Sequence, residues 1–220
     1  MDTVNIRLTI ARAVADPGQT AALARHLQTR LGCLHRTIHL QGVDAVQTLL
    51  EFVVGYTERV PELLDALNSI GRSARCSEFI EPLIAISTEF FEQPPELLNG
   101  HDGLLALMDE AYLAHRLIEE VNGHFIAQCG DNLAPIDMTR SNLIIHHLIG
   151  EPFANQLDEA IRLVVERLET EHLFTVDGRF NPELGREFYW GMEGNHWPCF
   201  TDTLSINLFF GANPEPDVIH

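Results

Sequence analysis

The chain has 220 residues, 45% of them hydrophobic, and a formal net charge of −18. That much apolar material supplies a full-sized core and excludes general disorder. The acidic excess opposes non-specific binding to nucleic acid and to anionic membranes, because like charges repel.

The fourteen basic residues are all arginines and are scattered, so no basic stripe offers itself to RNA or DNA. No stretch reaches the ~18 consecutive apolar residues of a membrane span. The first residues, MDTVNIRLTIARAVAD, lack the apolar run of a signal peptide. The expectation is a cytoplasmic protein with reduced thiols. Cys33, Cys76, Cys129 and Cys199 lie far apart and form no CxxC pair, which excludes a zinc knuckle or a dithiol redox motif.

Residues 4–10, VNIRLTI, alternate apolar and polar and predict a strand. Asp16-Pro17 reads as an N-cap followed by proline at the first helical position, and Gly32 closes that helix. RTIHL, residues 36–40, is a second strand candidate. Residues 42–70 predict a long helix buried through Val46, Leu49, Leu50, Val53 and Val60, kinked or restarted at Pro61 and ended by Gly71. Ser77 to Glu92 predicts the next helix, stopped by Pro94-Pro95.

Gly103 to Ile126 carries the longest helical pattern. Leu104, Leu107, Met108, Ala111, Ala114, Ile118, Val121, Phe125 and Ile126 gather on one face, and Asp109, Arg116, Glu120 and His124 point away from it. Asp137 or Thr139 caps a helix through IIHHLIG, which Gly150 and Pro152 interrupt. An amphipathic run from Phe153 to Leu168 follows, as a continuation or as a separate helix. Beyond His172 the pattern changes to a turn signal at Asp177-Gly178, the aromatic stretch FYWGMEGNHWPCF and the strand-like LSINLFF. The fold expected is mainly α: a bundle of five or six helices over residues 1–172, with a small β or irregular appendage from the termini. Residues 173–220 form an aromatic-rich extension, packed on the bundle or on a second copy of the chain.

His115 and Glu119 are four apart and Asn122 is three further on, so they share one helix face. Asn142 and His146 repeat that spacing inside the apolar arc of a later helix. If the two faces meet, the five residues form one polar cluster in the core. Neutral imidazole and carboxylate are ready metal ligands, and burial beside a carboxylate shifts a histidine toward acid–base use. The expectation is a transition-metal or small-ligand site, with His115, Glu119 and His146 as ligands and Asn122 and Asn142 supporting them. An oxidoreductase, or a metal-free enzyme using His115 and Glu119 as an acid–base pair, would fit the same residues. The structural alternative makes these groups hydrogen-bonded core residues that fix packing register. The protein would then be a non-enzymatic interaction or oligomerisation protein acting through its aromatic C-terminal segment.

The dinuclear carboxylate plan wants inward Glu residues and two inward Glu-x-x-His motifs. Glu51 sits opposite its helix's apolar arc, and the two spacing matches, Glu169 with His172 and Glu193 with His196, lie off the core stripe or among loop signals. Phosphate-loop, dinucleotide, nucleophile-elbow, HExxH and EF-hand signatures are absent.

Overall fold

The computed structural model describes residues 3–40, 44–73, 77–129, 133, 137–170 and 206–208. Among them are seven α-helices and two short strands. Helix α1 (Val4–Ala15) occupies the segment whose alternation predicted a strand. Ile6, Ile10 and Ala13 are buried at i, i+4 and i+7, while Val4 and Leu8 are about half exposed at 50% and 47%. Alternation at period two and a helical stripe coincide at every fourth residue, so the apolar pattern alone could not separate them. Packing on the next long helix decides for the helix, and Arg7 closes the contact with Asp65 at 2.8 Å.

Helix α2 (Pro17–Arg30) begins as expected, with Asp16 accepting from Gly18 N–H at 2.7 Å and proline at the first position. A 3₁₀ turn over Leu31–Cys33 leads to strand β1 (Ile38–Leu40). Helix α3 (Ala45–Ser73) holds Pro61 and runs through Gly71 rather than stopping there. At Gly71 a Cβ would lie 3.3 Å from Cβ of Ile80, so this glycine serves the close approach of the next helix rather than a helix stop. Helix α4 (Ser77–Glu92) has the expected bounds. A 3₁₀ turn over Glu96–Leu98 precedes α5 (Leu104–Cys129). Helices α6 (Thr139–Ile149) and α7 (Phe153–Thr170) are separate. Gly150 between them has φ +92°, a region open to glycine, and it lies against the guanidinium of Arg30.

Helix α5 packs against all six other helices. That explains a feature its one-faced reading missed: nine consecutive residues, Leu107 to His115, are buried. A helix enclosed on all sides cannot keep a solvated face. Asp109, expected to point outward, is therefore fully buried, while Ile126, expected in the core, is 45% exposed near the C-terminal end.

Strand β1 pairs antiparallel with β2 (Ile206–Leu208), with Ile38 opposite Leu208 and Leu40 opposite Ile206. The two candidates at 36–40 and 204–210 thus find each other, and the appendage joins a segment after α2 to the C-terminal region. The Asp177-Gly178 turn, the aromatic stretch 188–200, His172, His196, Cys76 and Cys199 lie outside the described residues. No helix among the described residues is long and apolar enough to cross a membrane.

Candidate ligand-binding cleft

Helices α5, α6 and α7 enclose a cleft of about 310 Å³. Each wall follows from helical spacing. Tyr112, Arg116 and Glu119 stand at i, i+4 and i+7 on α5, and Thr139, Asn142, Leu143 and His146 at i, i+3, i+4 and i+7 on α6. Asp158 comes from α7. The α5–α6 contact on which the sequence reading depended is made directly: Asn142 Nδ2 donates to Glu119 Oε2 at 2.6 Å.

The polar groups form one continuous network. Arg116 Nη1 lies 2.5 Å from Glu119 Oε2, its Nε 3.0 Å from Asp158 Oδ1, and its Nη2 3.4 Å from Glu120 Oε2. Tyr112 donates its hydroxyl to the same Asp158 Oδ1 at 2.8 Å. His146 Nε2 sits 3.0 Å from Asn155 Oδ1 and 3.5 Å from Asp158 Oδ2. Because an amide oxygen only accepts, that nitrogen carries the proton. At the inner end, Tyr56 of α3 donates to Asn142 Oδ1 at 2.6 Å. Burial and the Asp158 contact push the Tyr112 hydroxyl well above its ordinary pKa, so it remains a donor. Burial opposes the charge on Arg116, but hydrogen bonds and attraction from Glu119 and Asp158 outweigh it and raise its pKa further.

Of the five residues expected to form the site, Glu119, Asn142 and His146 line this cleft. Asn122 is half-buried further along α5 and is not part of the lining. His115 faces a different neighbour. It is fully buried, its ring stands edge-on to Tyr56 with centroids 4.2 Å apart, and neither ring nitrogen has a hydrogen-bond partner among the described residues. Burial, with a smaller contribution from Arg59, lowers its pKa to about 3, so the imidazole is neutral. Glu119 is engaged by Arg116 and Asn142 rather than by His115, so the pair expected at i, i+4 is not joined by a hydrogen bond. Among the described residues, no three His, Cys, Asp or Glu side chains are grouped so as to hold a metal ion.

A second polar cluster lies at the N-terminal end of α5. His101 Nδ1 is hydrogen-bonded to Asp109 Oδ2, and the other oxygen of Asp109 is buried without a partner among the described residues. Burial raises Asp109 to about 6 against the opposing pull of His101, and burial with the Asp109 charge raises Glu110 to about 7. The His101 ring packs edge-on against Phe153 at 5.4 Å and lies 6.2 Å from His26, whose Nε2 meets the Leu148 carbonyl at 2.9 Å. Burial lowers the His26 pKa.

Sequence reasoning missed Tyr112, Arg116, Asp158 and Tyr56. Tyr112, Arg116 and Glu119 already stood on one helix face, and that spacing was a usable signal. Asp158 carried none, because it lies on the polar side of an amphipathic helix and only the packing of α7 on α5 brings it to Arg116. No family model, curated protein or solved structure matches this chain.

Proposed function

We propose that the protein is a helical bundle that binds a small polar molecule in the cleft between α5, α6 and α7. Tyr112, Arg116, Glu119, Asn142, His146 and Asp158 would contact the ligand. The observation that carries this reading is the cleft itself, about 310 Å³ with seven polar or charged side chains converging on it from three helices. Its size falls at the lower end of the roughly 300–1,000 Å³ common for small-molecule pockets. The side chains are already fixed by one another, so little ordering would accompany binding.

The transition-metal form of the reading keeps Glu119 and His146 as candidate ligands in the same cleft, while His115 lies against Tyr56 in the core. The test uses full-length, untagged protein prepared without chelator, screened for thermal stabilisation against a library of small polar molecules, with metal content measured in parallel. The expected result is a ligand that raises the melting temperature of the parent protein but not of Glu119→Gln or of Leu143→Trp, which fills the cleft. A stoichiometric metal lost in His146→Ala and kept in His115→Ala would make the site metal-dependent. If no ligand stabilises the protein and no metal is bound, the reading fails and the interaction-protein alternative replaces it.

A further inference from the structure

The cleft holds more carboxylates than cations, and that imbalance points to a ligand class; the inference rests on the cleft being a binding site. Most of its hydrogen-bonded donors are directed at the protein's own carboxylates. Arg116 spreads three of its N–H groups over Glu119, Glu120 and Asp158, Tyr112 donates to Asp158, and one amide N–H of Asn142 goes to Glu119. The Asn142 oxygen is taken by Tyr56.

The acceptors are left over. No hydrogen bond from the described residues reaches Glu119 Oε1, and Asp158 Oδ2 has only His146 Nε2 at 3.5 Å. One guanidinium faces three carboxylates, so the charge around it is negative in sum. The N-terminus of α6 would favour an anion, but the carboxylate of Asp137, the residue before the N-cap Met138, already lies there and accepts from Thr139 N–H at 3.0 Å.

We propose that the cleft selects a small organic cation bearing N–H donors, an ammonium or amidinium group, which sits between Glu119 and Asp158 with its apolar part on Leu143. An anion would face the unshared carboxylate oxygens, and a neutral amide would lack the charge. In a partly desolvated cleft, a unit charge difference beside a carboxylate is worth about tenfold or more in affinity.

Three probes of nearly one shape separate the possibilities: benzamidine, benzamide and benzoate. Each is titrated into full-length protein, with binding followed by calorimetry and by the resonances of Tyr112 and His146. The expected order is benzamidine first, by about tenfold over the other two. Asp158→Asn should remove that preference. Because Asp158→Asn also loses the Arg116 pairing and could unfold the bundle, Leu143→Trp provides an independent check, with all carboxylates in place and the cleft filled. It should abolish benzamidine binding. Benzoate binding in the cleft as tightly as benzamidine would overturn the ligand class and leave the site standing. Benzamidine binding that survives Leu143→Trp would overturn the proposal as general attraction to an acidic surface. If none of the three probes moves the Tyr112 and His146 resonances, the ligand class falls, and the wider screen then decides the site.

Discussion

Two polar regions of α5 lie within a turn or two of each other and differ in kind. At Arg116 and Glu119 the helix borders a cleft, and each charge meets an opposite charge or a hydrogen bond. At Asp109, Glu110 and His115 the same helix is enclosed, and one Asp109 oxygen and both His115 nitrogens have no partner among the described residues. Burial pushes those three groups toward their neutral forms. Partial exposure with pairing keeps a charged group available to a ligand, whereas burial with incomplete pairing makes it a source of pH-dependent stability. Tyr56 joins the two regions, with its ring on His115 and its hydroxyl on Asn142.

The contrast is broken most strongly at His115. Its folded-state pKa, about 3, is depressed below an unfolded value of ~6.5. For a base this means stability that is present above the unfolded pKa and lost as pH falls from there toward 3. The variant His115→Leu removes that liability and two unsatisfied nitrogens. Relative to the parent it should gain roughly 3 kcal/mol near pH 4, and less at neutral pH, in urea unfolding. Equal pH profiles for variant and parent would show that the ring takes up a proton as readily in the folded chain as in the unfolded one.

Asp109 works in the opposite direction. Its folded pKa of about 6 is raised, so the stability it contributes is full below its unfolded pKa and is lost as pH rises through 6. Asp109→Asn should therefore lose stability against the parent at low pH and recover by roughly 2–3 kcal/mol between about pH 4 and 8. A constant difference across that range would mean that the carboxyl ionises as readily folded as unfolded. The smallest effect is expected at the junction. Tyr56→Phe leaves Asn142 Oδ1 without its donor and should cost about 1–2 kcal/mol at any pH. It should also loosen Asn142 from Glu119, visible as faster exchange of the Asn142 side-chain amide protons. A Tyr56→Phe protein as stable as the parent would show that another donor, such as water, replaces the hydroxyl.

Much of this architecture could be read in advance where a residue acts locally. Asp16-Pro17 started α2, Pro94-Pro95 followed α4, and apolar spacing gave α3, α4, α5 and α7, because caps and periodicity depend on neighbours in sequence. The misreadings share a cause. Residues 4–10 carry a pattern compatible with both strand and helix, Gly71 has a packing role that resembles a helix stop, and Asp109 looked solvated because one helix face was assumed to be enough. Three of the five expected site residues, Glu119, Asn142 and His146, do meet; His115 was counted with them because i, i+4 spacing reports a shared face and not the neighbour that covers it.

The sequence by itself determined that this is a mainly helical protein, and it located the polar positions on α5 and α6, since those follow from local periodicity and chemistry. Only the tertiary structure decided that α5 is enclosed by six helices, that Arg116 meets Asp158 across 42 residues of chain, and that His115 stays neutral in the core. Those outcomes depend on which helix faces pack together, and side-chain pairing and desolvation are set by neighbours that the linear order does not identify.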